Sequence, residues 1–135
     1  LSLLDLLPDA ALLAVTTPQT TARVVARRMA RMATDAGMPI AGVVENLAAA
    51  ICPACGEQTA VFGEGGGALL AEEAHAPLLG QVPSDAELRR AADVGVPVVL
   101  ASPQSASARE LTRIAATLPP LRRSLAHRPL PLSVL

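Results

Sequence analysis

Three short apolar runs, each emptying into a polar loop, limit what this chain can fold into. They are Ala11 to Val15 before Thr16, Thr17, Pro18 and Gln19; Ile40 to Leu47, with Glu45 and Asn46 at its far end; and Leu78 to Val82 before Pro83, Ser84 and Asp85. Uninterrupted runs of this length read as strands buried on both faces, which belong to parallel sheets. Between the first two, Thr20 or Thr21 is placed to cap a helix lined by Val24, Val25, Met29, Met32 and Ala36, with Arg23, Arg27 and Arg31 on a solvated side. Gly37 ends that helix and Pro39 blocks its restart. Thr59 to Phe62 reads as a short strand, Ala68 to Ala76 as a helix, and Ser84 or Asp85 as the cap of a helix through Ala92. Val96 to Leu100 reads as an edge strand with Pro97 at its entry, and Pro103 after Ser102 as the opening of a last helix to about Leu118. This α/β alternation predicts a mostly parallel sheet with flanking helices. Residues 1–121 are expected to form the folded portion, beginning with a Leu-rich helix at Leu1 to Leu7, and 122–135 to form a Pro-containing tail.

Composition removes several function classes. The 135 residues are 51% hydrophobic, enough for one domain core, but Phe62 is the only aromatic, which disfavours base stacking on single-stranded nucleic acid. A formal charge of −1 supplies no field for nucleic acid or an anionic membrane surface. No run is long enough to span a bilayer and no basic region precedes an apolar start, so membrane insertion and a signal peptide are not expected and a cytoplasmic setting is. All eleven basic residues are Arg; without a lysine the chain holds no Walker A loop and is not expected to hydrolyse ATP by itself.

The chemistry-bearing residues gather at strand ends, where ligands lie in open parallel sheets. An Asn such as Asn46 can both donate to and accept from an adenine edge, the favoured reading over a plain cap or turn after the strand. Asp85 is explained by helix capping alone. The segment Gly63-Glu64-Gly65-Gly66-Gly67 lacks the residues of a phosphate loop and reads as a hinge for the loop before it. That loop, Cys52-Pro53-Ala54-Cys55-Gly56, holds the only two cysteines. Two soft thiolates from one turn are half of a tetrahedral metal or cluster site, and neither His75 nor His127 has zinc-finger spacing from them. The missing ligands would come from a second copy of the chain, the favoured source, or from a partner protein. A redox dithiol, a structural disulfide and a plain surface turn remain open.

Taken together, TTPQ (Thr16 to Gln19), GVVEN (Gly42 to Asn46), CPACG (Cys52 to Gly56), FGEGGG (Phe62 to Gly67), LGQVPSD (Leu79 to Asp85) and the R-x-x-D-x-G-x-P-V pattern (Arg90 to Val98) resemble the C-terminal half of the Mrp/ApbC family. These are iron–sulfur-carrying P-loop ATPases of the MinD/ParA-like class, and the resemblance spans roughly residues 1–118. It implies a partial three-layer α/β/α P-loop NTPase domain. It further implies a homodimer holding one [4Fe-4S] cluster through Cys52 and Cys55 of each subunit, for delivery to apo iron–sulfur proteins. Asn46 would contact adenine, Pro83, Ser84 and Asp85 would wall it, and ATP with Mg2+ would be bound in the complete protein. The lysine-bearing loop and the magnesium-binding switch would lie before Leu1, which is not Met. Leu47 stands where the family usually has Met, and Ala48 to Ala50 replace a more polar approach to the cysteines. The alternative is a non-enzymatic metal-binding or dimerisation scaffold, or a redox dithiol protein.

Overall fold

A computed structural model describes residues 10–118. The expected helix at Leu1 to Leu7 and the tail at 122–135 lie outside the described residues. The element order is β1 (Leu12–Thr16), α1 (Thr20–Asp35), β2 (Ile40–Ile51), β3 (Gln58–Thr59), α2 (Gly66–Glu73), β4 (Leu78–Ser84), α3 (Ala86–Asp93), α4 (Val98–Ala101) and α5 (Ala106–Thr117). Strand β2 is central, pairing in parallel with β1 on one side and β4 on the other, while β3 folds back antiparallel on its far end.

Alternation along β2 feeds two cores. Val43 packs with Ala14, Ala26, Leu70 and Ala71 under α1 and α2, whereas Val44 packs with Leu79, Val82 and Ile114 under α5. A sheet covered on both faces needs the continuous apolar runs seen in the sequence. A third cluster, Ala91, Val98 and Ala108, ties α3, α4 and α5 together.

Several local expectations are corrected. Helix α1 buries Ala26, Ala30 and Ala33 rather than the larger residues, and Val25, Met29 and Met32 are exposed. A stripe of alanines lets the helix lie close to the sheet and to α2, where Arg23 reaches Glu73 at 2.6 Å. Its N-cap is Gln19, without a side-chain bond, not Thr20 or Thr21. Strand β1 is not buried on both faces, since Val15 is exposed. The third strand runs on to Ser84, and the short strand after the cysteines is only Gln58–Thr59.

Val96 to Leu100 is not a strand: Pro97 caps the short helix α4, which buries Val98 alone. The edge it would have joined is already occupied. Glu110 Oε1 accepts the Gln81 backbone N–H at 3.0 Å, and Arg113 Nη2 donates to the Leu79 carbonyl at 2.8 Å. Gly80 permits this approach, because a Cβ there would collide with Glu110, Arg113 and Ile114. The Arg113 guanidinium holds the Glu110 carboxyl below its ordinary pKa, against a smaller opposing effect of burial. The last helix opens at Ala106, after the cap Ser105, rather than at Pro103; the Ser105 side chain accepts from the Ala108 N–H.

Candidate metal centre and the strand ends behind it

The largest departure from expectation sets the site. Strand β2 does not end at Leu47; it runs twelve residues, to Ile51, and then turns back through the CPACG loop into β3. Ala50 pairs with Thr59 and Ile51 with Gln58, so the two cysteines sit at the tip of a β-hairpin arm. The turn is closed by Cys52 N–H donating to Glu57 O at 2.9 Å and Gly56 N–H donating to Cys52 O at 2.8 Å. Gly56 takes φ +75°, a conformation in which a side chain would be strained.

Both thiols are free and exposed. The backbone N–H groups of Cys55 and Ala54, followed by the Cys55 side chain, pull the Cys52 thiol below its ordinary pKa, against a slight rise from desolvation. Donors aimed at a sulfur favour thiolate, the form that binds metal. The turn lies between two strands, not at the start of a helix, so it lacks the layout of a thioredoxin-type dithiol. Among the described residues no group of three or more Cys, His, Asp and Glu could hold a metal ion. The donor set therefore fits half of a cluster site, with two soft sulfurs presented outward.

Behind the arm, Glu45 and Asn46 lie within β2 rather than after it. Glu45 is fully buried. Its Oε2 accepts the Gly67 N–H of α2, and its Oε1 accepts from Gln81 Nε2 of β4 at 2.7 Å. Asn46 Oδ1 accepts the N–H of Leu47 at 2.9 Å, and Leu47 takes φ +56°, unusual for a β-type element. The pairing with β4 is irregular here, passing from Asn46 opposite Val82 to Ala50 opposite Ser84. The Asn46 oxygen has a second lone pair and the amide NH2 remains a donor.

Of the four predicted nucleotide residues, Pro83 alone lines a cleft beside the arm. A cleft of about 720 Å3 lies between the arm and the end of β4, lined among others by Glu45, Ala49, Gln58, Gly65, Gln81 and Pro83. Asn46, Ser84 and Asp85 are not among its walls. Glu64 and Glu110 add to Glu45, giving the cleft an acidic lining unsuited to a polyphosphate. Asp85 is committed to capping. One oxygen accepts from Leu88 N–H at 2.7 Å and the other from Ser107 N–H at 2.9 Å, so it closes the N-termini of α3 and α5 together. Burial pushes its pKa up, but the N–H donors of Ser107 and Leu88 outweigh that and leave it below the ordinary value.

The glycine segment is also read differently. Gly65 caps α2 in the left-handed region, while Gly66 and Gly67 belong to the helix. A Cβ on Gly66 would fall 2.7 Å from the Thr17 carbonyl oxygen, and one on Gly67 would fall 2.6 Å from Glu45 Cβ. These two are close-packed anchors, not hinges. Glu45 and Gln81 carry this packing, and neither role is legible in the sequence beyond one signal, an acidic residue at the end of an otherwise apolar run.

The family model of ParA-type NUBPL iron-transfer P-loop NTPases matches residues 1–119. Relatives described as iron–sulfur cluster carrier proteins include one from Mycobacterium tuberculosis, 48% identical over 132 residues, covering 93% of this chain and 34% of the relative. One from Synechocystis is 43% identical over 116 residues, covering 85% and 33%. The chain thus spans about a third of the length of the curated relatives it matches. Among solved structures, MinD with Mg-ADP from Pyrococcus horikoshii superposes with TM-score 0.59 at 20% identity, covering 76% of this chain and 39% of that one, a likeness of fold. An ADP-bound nucleotide-binding protein from Archaeoglobus fulgidus superposes with TM-score 0.54 at 31% identity, covering 70% and 38%.

Proposed function

Since the chain belongs to the ParA-type NUBPL iron-transfer P-loop NTPase family, we propose that it carries an iron–sulfur cluster as cargo, held between two copies by Cys52 and Cys55 of each. The observation that carries this reading is the hairpin tip: two exposed thiols on one turn, with backbone donors drawing Cys52 toward thiolate. A [4Fe-4S] cluster takes four thiolates, and a two-fold axis through the tip supplies them without any other residue. Exposure suits a carrier. Thiolates of an apo iron–sulfur acceptor can approach and replace Cys52 and Cys55 one at a time, each incoming Fe–S bond matching one broken.

The nucleotide side of the reading is the C-terminal part of an ATP-dependent carrier, working in the cytoplasm. Asn46 offers its free lone pair and NH2 to the adenine edge, and Pro83 supplies an apolar wall at the cleft. Ser84 and Asp85 contribute through the shape of the turn, since both Asp85 oxygens hold helix termini. Hydrolysis of ATP with Mg2+ requires a lysine-bearing loop, which this sequence does not contain.

The test is anaerobic reconstitution with iron and sulfide, read by visible absorption and metal content, against a Cys52→Ser, Cys55→Ser double variant. About four irons per two chains, absent from the double variant, is the expected result. A folded chain that binds no iron in a cysteine-dependent way overturns the reading and returns the scaffold and dithiol alternatives.

A further inference from the structure

We infer that Glu45 is the positioning residue of the cysteine arm, a buried clamp that closes the base of the arm and ties it to the strand leading into the Pro83 turn. Past Glu45 the strand continues with irregular pairing to β4 through the positive-φ Leu47, turns back at the hairpin, and the chain re-enters the body through the loop beyond at Gly66 and Gly67. Both ends of that excursion meet at one side chain. Glu45 Oε2 accepts the N–H of Gly67, and Oε1 accepts from Gln81 Nε2. Gln81 in turn has its backbone N–H held by Glu110. One connected set of bonds therefore runs from α5 through β4 and β2 to α2, crossing directly beneath the arm.

The sequence around α2 explains why a distant carboxylate is needed. The first-turn N–H groups of a helix have no partner within the helix, and the usual remedy is a Ser, Thr, Asp or Asn at the N-cap. Here the N-cap is Gly65, which has no side chain to offer. Glu45 does that work from 22 positions earlier. Its negative charge also sits favourably against the helix N-terminus. Glycine at 67 is what admits it, because any Cβ there would overlap Glu45 Cβ. A carboxylate with no exposed surface and two neutral donors thus holds a loop, where a surface ion pair would leave the arm to drift.

The inference rests on reading Cys52 and Cys55 as the cargo ligands, and its test is built to separate the two. In the metal-free chain, hydrogen exchange is followed at the Gly67 amide and across residues 50–61 in wild type, Glu45→Ala and Glu45→Gln. Glu45→Ala is expected to speed exchange there on the order of tenfold, the worth of about one hydrogen bond, with the amides of β1 and of Val43 unchanged. Glu45→Gln keeps an oxygen for Gly67 and, after rotation of the Gln81 amide, donates where Glu45 accepted; it is expected to exchange like wild type. Iron loss to a chelator from the reconstituted chain should follow the same order.

An arm that exchanges equally in Glu45→Ala and wild type overturns the clamp. So does a Glu45→Gln chain as loose as Glu45→Ala, which would make the charge rather than the bonds the essential feature. If Glu45→Ala does not fold, Gln81→Ala decides: faster exchange confined to the arm supports the clamp, and a uniform rise or no change overturns it. A wild-type chain that never loads iron yet shows the exchange pattern removes the carrier reading and leaves the clamp standing.

Discussion

Strand β2 is two structures in one. From Gly42 to Glu45 every residue is buried between helices; from Asn46 to Ile51 every residue is only partly covered, the pairing with β1 has ended at Glu45, and the returning β3 joins at Ala50 and Ile51 while β4 still pairs at Asn46 and Ala50. The first part is dictated by packing, with Val43 and Val44 feeding opposite cores. The second is dictated by what it carries, two thiols at a hairpin tip. The change happens at Asn46 and Leu47, where a side-chain bond and a positive φ interrupt regular pairing. A loop can hold a reactive group outward only if something rigid holds its base, and here one strand supplies both.

Four perturbations separate the halves, taken from the largest effect to the smallest. Removing both thiols with Cys52→Ser, Cys55→Ser should abolish cysteine-dependent iron loading while changing stability by no more than about 0.5 kcal/mol, read by circular dichroism on heating. Loss of stability on that scale of several kcal/mol would mean the tip is part of the core. Leu70→Ala does the opposite: Leu70 is fully buried against Val43, so the expected cost is about 2–5 kcal/mol, measured by urea unfolding, with thiol reactivity at the tip unaltered.

Asp85→Ala should cost about 1–2 kcal/mol, since one carboxylate caps two helices. Its pH dependence has a definite sign. The folded carboxyl titrates below its unfolded value, so its contribution is complete above about pH 3.9 and is lost as pH falls through the folded value. Acid unfolding of wild type should therefore contain a component that Asp85→Ala lacks. The smallest effect is on reactivity: the pH midpoint for alkylation of Cys52 should lie below that of an ordinary thiol, because the Cys55 and Ala54 amides face its sulfur. Gly56→Ala, which strains the turn at φ +75°, should move it back up.

Much of the scaffold was legible because parallel strands and their helices announce themselves by uninterrupted apolar runs and by Gly and Pro stops. The arm was harder. Leu47 to Ala50 is a leucine followed by three alanines with no alternation, and nothing local distinguishes it from a loop; pairing of Ala50 with Thr59 and Ser84 makes it a strand. The same holds for Val96 to Leu100, whose β-branched residues suggest a strand but which finds the sheet edge already covered by Glu110 and Arg113. For α1 the hydrophobic residues pointed to the wrong face, since close helix packing selects alanine over methionine.

The residues alone determined the chemistry on offer: two thiols on one turn, no lysine, and polar groups following apolar runs. Those properties are local, set by covalent identity and spacing. Tertiary structure decided where each group is spent. It buried Glu45 and gave it to a helix terminus, gave both oxygens of Asp85 to two others, and left Cys52 and Cys55 outward. Hydrogen-bond partners of buried polar groups come from segments far apart in sequence, and only the folded chain brings them within reach.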